Sequence, residues 1–312
     1  MDAGGTKLLG GVVDADLVVH HRVHRHIQGL DQAELIETIV DAVEEARAAA
    51  PDVRGVGFGI PATVRPESGS VMVSNHLPLD GVPFAALMSE RLDLPVAVDN
   101  DSNVAILAEH RAGAARGVED AVMLTLGTGI GGGLIFGGKL YRGSVGAGAE
   151  LGHIVVDADG PDCPGACPGR GCLEAFASGN ALGRAGHEAA RRHPDSALGQ
   201  AFAGGREITG GLVTELAHDG DETAIEVVAN AGRWLGVGIV SLLNALNPEL
   251  VIIGGGASAN GELLLAPARE VVAERGLPPN RQLAQIVIAH FGSEAGMIGA
   301  ALTALDAELP EL

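Results

Sequence analysis

One eight-residue stretch, Leu126-Gly127-Thr128-Gly129-Ile130-Gly131-Gly132-Gly133, constrains the fold of this chain more than any other. Its five glycines stand within seven residues, directly after the strand-like run AVMLTL (121–126) and before the apolar run Leu134–Phe136. Each glycine gives up about 0.5–1 kcal/mol in ordering entropy relative to alanine, so a plain hairpin turn does not account for the cluster. A backbone that must come close to phosphate oxygens does. The segment after the turn reads as a second strand, not a helix, which argues against a dinucleotide-binding turn. A similar Gly-rich turn, Asp2-Ala3-Gly4-Gly5-Thr6-Lys7, leads into hairpin material over residues 8–28, with a bend at Asp14-Ala15-Asp16. Two such starts, near residues 4 and 127, predict a duplicated two-domain α/β fold about a cleft.

Between the two turns the hydrophobic spacing is that of alternating helices and strands. Leu35, Ile36, Ile39, Val40 and Val43 recur at helical intervals behind a candidate N-cap, Asp31. A buried strand is expected at 53–60 ending before Pro61, a helix at 83–93, a strand at 94–98 and a helix from Asp101 to Arg116. Beyond the second turn, 144–176 is irregular and rich in Gly, Pro and Cys. Helices are expected around 173–193, 210–218, 221–246, 262–275 and 293–308, with strands at 250–253 and 285–290. The predicted domains are 1–117 joined by 293–312, and 118–292. Little of the chain precedes the first turn, so the first strand is expected to be short or to begin upstream.

Lys plus Arg number 20 against 40 Asp plus Glu, a formal charge of −20 at pH 7 with no basic cluster to offset it. Such a chain repels nucleic acid phosphates, so no nucleic acid partner is expected. No run reaches the roughly 18 apolar residues of a membrane span, and Asp2 and Lys7 interrupt any signal-like stretch. The expectation is a cytoplasmic protein without a membrane partner. All three cysteines lie between Cys163 and Cys172. An odd number in one loop suits a metal site better than a disulfide framework, although a Cys163–Cys172 disulfide or three free thiols are the alternatives.

Three further groups carry candidate chemistry. In the first turn, Asp2 is placed to hold magnesium through water and Thr6 to donate a hydroxyl; a purely structural Gly-Gly turn is the competing reading. Val98-Asp99-Asn100-Asp101-Ser102-Asn103 puts four Asp or Asn residues within five positions at the carboxyl end of a strand, where open α/β folds place ligand chemistry. One helix cap needs one such residue, so capping alone does not explain the run. His153 with Cys163, Cys167 and Cys172 forms a Cys₃His set suited to tetrahedral zinc of the closed, structural kind, flanked by Glu150 and Glu174. Val251–Gly256 reads equally as a third ligand turn or an ordinary connection. His20, His21, His24 and His26 read as a solvated strand face.

In order along nearly the whole chain, DAGGTK, VDNDSN, LGTGIGGG, GAGAELGH, the Cys loop ending GCLEA, and NPELVIIGGG resemble the ROK family of repressors, open reading frames and sugar kinases. The resemblance implies an actin/hexokinase-type fold and ATP-dependent phosphorylation of a hexose, glucose first, with N-acetylmannosamine, N-acetylglucosamine or fructose as other acceptors. By motif position, Asp2, Gly4, Gly5, Thr6 and Lys7 would bind phosphate and Mg²⁺. Gly127, Thr128 and Gly129 would form the second phosphate turn, and Gly255 and Gly256 would face the nucleoside. Asn100, Glu150, His153, Glu174, Pro61 and Asn75 would bind the sugar, with Asp101 as the base. His153, Cys163, Cys167 and Cys172 would ligate a structural Zn²⁺, His153 thereby serving two sites through its two nitrogens. A homodimer or homotetramer is implied. The family's non-catalytic sugar sensors are the rival reading; they carry a DNA-binding segment that the residues before the first turn are too few to form. Two departures stand out: the loop reads C-x₃-C-x₄-C where the family has C-x-C-x₄-C, and Asn75-His76-Leu77-Pro78-Leu79 lacks the family's aromatic near the sugar.

Overall fold

A computed structural model describes residues 1–308. It opens with β1 (Asp2–Ala3), β2 (Lys7–Val13), β3 (Val19–His26) and α1 (Gln32–Ala49). Next come β4 (Val56–Ile60), a small hairpin of β5 (Thr63–Arg65) and β6 (Ser70–Val73), then α2 (Phe84–Leu92), β7 (Val96–Asn100) and α3 (Asp101–Ala112). The second half runs through β8 (Ala121–Leu126), β9 (Ile130–Phe136), β10 (Lys139–Leu140), α4 (Glu174–Ala177), α5 (Gly179–Arg192), α6 (Ala197–Ala203), α7 (Gly210–His218) and α8 (Glu222–Leu246). It ends with β11 (Leu250–Gly254), α9 (Glu262–Arg275), α10 (Asn280–Leu283), β12 (Gln285–Ile288) and α11 (Ala295–Glu308).

The two five-stranded sheets have one topology. The first runs β3-β2-β1-β4-β7 and the second β10-β9-β8-β11-β12. In the first, β1 pairs antiparallel with β2 and parallel with β4, which is parallel to β7. In the second, β8 and β12 flank β11 in parallel. The central strands β4 (VGFGI) and β11 (LVIIG) are buried along their whole length, as parallel strands covered on both faces must be. The fold is thus the actin/hexokinase-type α/β architecture that the paired Gly-rich turns imply. The chain divides into two compact units: Met1–Gly117 with Gly133–Ala149 and His290–Leu312, and Val118–Gly132 with Glu150–Ala289.

In the first unit Phe58, Ile60, Leu35, Ile39, Leu79 and Phe84 are fully buried, and Phe58 meets Phe84 edge-on at 5.2 Å. α1 begins as its sequence dictates: Asp31 accepts from the Glu34 N–H and Glu34 accepts from the Asp31 N–H, both at 2.9 Å, a complete capping box. Helix α11 lies on β4 and α3 at a distance only glycine allows, since a Cβ on Gly57 would meet the Ala300 carbonyl oxygen at 1.6 Å. Glu109, fully buried on α3, accepts N–H groups from Ala114, His290 and Phe291. In the second unit α8 packs on α9 in the same way, and a Cβ on Gly232 would lie 2.3 Å from the Leu264 carbonyl oxygen.

The 25-residue α8 has the length and composition of a membrane span, with an 18-residue window of mean hydropathy 1.3. Its Val227, Val228, Ala231, Leu235, Ile239, Leu242 and Leu243 recur at three- and four-residue intervals on the face buried in the second unit, the pattern of a core helix. The helix expected around 173–193 is two, broken at Ser178, whose hydroxyl caps α5 through the Ala181 N–H at 3.1 Å. The β5–β6 hairpin and α6 carry no sequence signal strong enough to have been read. The first strand is indeed short, two residues, with Asp2 in register with Leu9 and Gly59.

Candidate active site and metal centre

In the first unit the candidate residues converge at the carboxyl ends of β1, β4 and β7. Gly4 N–H donates to the Lys7 carbonyl at 2.8 Å, closing the turn after β1; Thr6 and Lys7 are exposed. Asp2 lies beneath this turn, and its carboxylate occupies the space at Gly296 on α11, where a Cβ would come within 2.3 Å of Oδ2. Burial, and after it the neighbouring Asp101 carboxylate, raise the Asp2 pKa to about 6. Two carboxylates that resist joint ionisation are the donor set a divalent cation relieves, so Asp2 and Asp101 fit a magnesium ion carried by a nucleotide.

Asn100 caps α3, its Oδ1 accepting from Ser102 N–H at 2.9 Å and Asn103 N–H at 3.3 Å. The capping reading of this turn is therefore true of Asn100 and does not exhaust the turn. Asp101 Oδ1 accepts from Ser102 N–H at 2.8 Å, and Gly59 on β4 lets α3 pack close, since a Cβ there would meet Val104 Cγ2 at 2.6 Å. Asp99 faces inward and is held by three donors: its own chain at Asn100 N–H (2.7 Å), Asn103 Nδ2 (2.8 Å) and Arg142 Nε (2.6 Å). The Pro61 carbonyl accepts from the Ser74 hydroxyl at 3.4 Å, while Asn100 Nδ2 donates to Ala62 O at 3.4 Å. Asn75 is exposed, and His76 beside it packs on the first turn, 3.3 Å from where a Gly5 Cβ would stand. The supporting parts played by Arg142, Asp99 and His76 were not foreseen from sequence. Arg142 is 43 residues from Asp99, and no local pattern signals such a bond.

In the second unit the Gly127–Gly129 turn is closed by Gly127 N–H to the Gly129 carbonyl at 2.9 Å. Gly179 and Asn180 N–H groups bind the carbonyls of Gly127 and Thr128 at 2.8 and 3.4 Å. Ile130 N–H donates to Glu174 Oε2 at 2.7 Å. Gly255, at φ 78°, presses on Leu126, with a Cβ there meeting backbone atoms at 2.6 Å. The Gly255-Gly256 turn and the Gly127–Gly129 turn are thus neighbours. Glu150 is exposed at the start of a one-turn 3-10 helix, Leu151–His153.

His153, Cys163, Cys167 and Cys172 offer ligand atoms that all lie within 4.8 Å of one another. Cys163 Sγ is 3.4 Å from His153 Nδ1, near the ~3.6 Å edge of a tetrahedron with ordinary zinc–sulfur and zinc–nitrogen bonds. The longer Cys163–Cys167 spacing is taken up in the turn, and all three cysteines are free of disulfides. Burial, then hydrogen bonding among the thiols, pushes Cys163 above the usual thiol range, and burial likewise raises Cys172. A cation reverses that preference by taking the thiolates, so a three-sulfur, one-nitrogen set crowded like this is suited to a soft divalent metal.

The ROK family model matches residues 1–307. The glucokinase of Streptomyces coelicolor is 34% identical over 309 residues, covering 96% of this chain and 95% of that protein. The xylose repressor of Caldicellulosiruptor bescii is 30% identical over 275 residues, 87% of this chain and 68% of the repressor. Among solved structures, a ROK family glucokinase from Streptomyces griseus in complex with glucose and AMPPNP superposes with a TM-score of 0.89 at 35% identity, covering 98% of each chain. With the two Gly-rich turns, the Asn-Asp helix start and the Cys/His loop all present in one chain of matching topology, this protein is a member of the ROK family.

Proposed function

We propose that this protein transfers the γ-phosphoryl group of ATP to a hydroxyl of glucose, giving glucose 6-phosphate, with Asp101 accepting the hydroxyl proton. The observation that carries the reading is the Asn100-Asp101 start of α3, set beside Asp2 and the first Gly-rich turn. Likeness to a glucokinase holding glucose and AMPPNP supports the choice of sugar and donor. Asn100 orients the acceptor hydroxyl, and Glu150, His153 and Glu174 hold other ring hydroxyls, together with Pro61 and Asn75. The N–H groups of the Gly4–Thr6 and Gly127–Gly129 turns take the phosphates. Mg²⁺, carried on the nucleotide and held by Asp2, supplies charge neutralisation on the transferring group. The protein's task is mainly positioning, and general-base help at Asp101 contributes about 10²–10⁴-fold.

Zinc is the metal assigned to His153, Cys163, Cys167 and Cys172, with His153 using Nδ1 for the metal and Nε2 for the sugar. The reading includes a cytoplasmic homodimer or homotetramer, checked by light scattering on the purified protein. The xylose repressor relative makes a non-catalytic sugar sensor the second reading. An ADP-release assay over glucose, fructose, N-acetylmannosamine and N-acetylglucosamine separates them: turnover on none of these sugars favours the sensor. In Asp101→Asn, glucose affinity should stay within a few-fold while kcat falls by about 10²–10⁴. Retained turnover removes Asp101 from the role of base.

A further inference from the structure

The Gly127–Gly129 turn presents a mechanical problem. A run of glycines has no side chains with which to hold its own shape, yet a phosphate site needs its N–H groups fixed in advance. Among the described residues, three hydrogen bonds reach it from one short segment, Glu174 to Asn180. Two of the three bonds are donated by backbone N–H groups, of Gly179 and Asn180, to the turn's carbonyls. The third is made by a side chain: Glu174 Oε2 accepts the Ile130 N–H at 2.7 Å.

We infer that Glu174 is a positioning residue for the nucleotide turn, in addition to any contact it makes with sugar. Three observations support this. The bond is short and charge-assisted, which makes it stronger than a neutral pair. The carboxylate also bears on the turn sterically: a Cβ on Gly129 would stand 2.2 Å from Glu174 Oε2 and 2.9 Å from its Cδ, so Gly129 is glycine because Glu174 is there. Finally, Glu174 is itself rigidly mounted. Leu173 is fully buried and donates its N–H to Ile154 O at 2.9 Å, Cys172 bridges to Val155, and Ala175 N–H donates to Cys172 O at 3.0 Å. The Cys/His loop thereby fixes the carboxylate, and the carboxylate fixes the turn. The carbonyls of Gly127 and Thr128 and the N–H of Ile130 are thus all tied to the 174–180 segment.

The inference rests on the reading that this turn takes the phosphates of ATP, and AMPPNP titrations measured by calorimetry test the two separately. In Glu174→Ala the AMPPNP Kd should rise about tenfold or more, and Gly129→Ala should do the same. The double variant should be no weaker than the worse single one, because both changes break one contact. Glu174→Gln retains an acceptor oxygen and should stay within about threefold of the parent protein, a rescue that loss of general stability would not show. Glu174→Asp, one methylene shorter, should behave like Glu174→Ala and serves if the alanine variant does not fold. Glucose Kd is measured alongside without nucleotide. A Glu174→Ala protein whose glucose Kd rises while its AMPPNP Kd stays at the parental value overturns the inference, as do additive losses in the double variant. A parent protein that binds no AMPPNP overturns the kinase reading itself.

Discussion

Asp2 sits where its charged form is disfavoured. Its carboxyl titrates at about 6 instead of near 3.8, through burial first and Asp101 second. Because the folded pKa is raised, the fold favours the protonated form. The associated stability is complete below pH 4 and is lost as pH rises through 6, an effect of about 3 kcal/mol for a shift of this size. Metal-free Asp2→Asn protein should therefore be more stable than the parent at pH 8, with the difference disappearing near pH 4; urea melts across that range check it, and a pH-independent difference would refute the account. Protons should also compete with magnesium, so Mg²⁺-nucleotide affinity should fall up to tenfold per unit below pH 6. At this scale the sequence was informative where chemistry is local. Asn100 as cap and partner of Asp101 follows from four Asp or Asn residues at a strand end, and the Cys₃His set follows from spacing. Glu174 reaching Ile130 across 44 residues does not, because no periodicity encodes a side chain meeting a distant backbone N–H.

Among the elements, the strand-to-helix junction between β7 and α3 depends on a charge pair with one partner outside both. Asp99 is 4% exposed and its nearest cation is Arg142, in the segment after β10. Truncating Arg142 to alanine leaves that carboxylate buried and uncompensated, which should cost about 2–3 kcal/mol, less than for a fully buried pair because the Arg142 side chain is 32% exposed. Since Asp99 also holds Asn100 and Asn103, kcat should drop by about tenfold as Asp101 loses its aim. Chemical denaturation and steady-state kinetics on Arg142→Ala check both. An unchanged kcat with lowered stability would limit the pair to scaffolding. Helices with strong caps and spacing, such as α1, were legible almost to their ends. The break at Ser178 was not, because the Glu174–Arg192 stretch is helical in spacing throughout and the docking of Gly179 and Asn180 on the turn interrupts it.

Across the whole molecule, the metal cluster belongs to one unit only. Removing the metal with a chelator should lower the melting temperature of the second unit, while amide protection in α11 and β4 of the first unit persists. Hydrogen exchange resolved by peptide tests this, and equal loss in both units would contradict it. The duplicated topology could be inferred from two glycine turns, but the joining of His290 onward to the first unit rests on backbone N–H groups finding Glu109. That arrangement has a consequence for synthesis on the ribosome. The second unit is nearly continuous in sequence and can fold as it emerges. The first must wait with a buried carboxylate short of two donors, and with the face of β4 uncovered, until the end of translation delivers α11. Premature termination just short of His290 would thus spare the half made later and unfold the half made first.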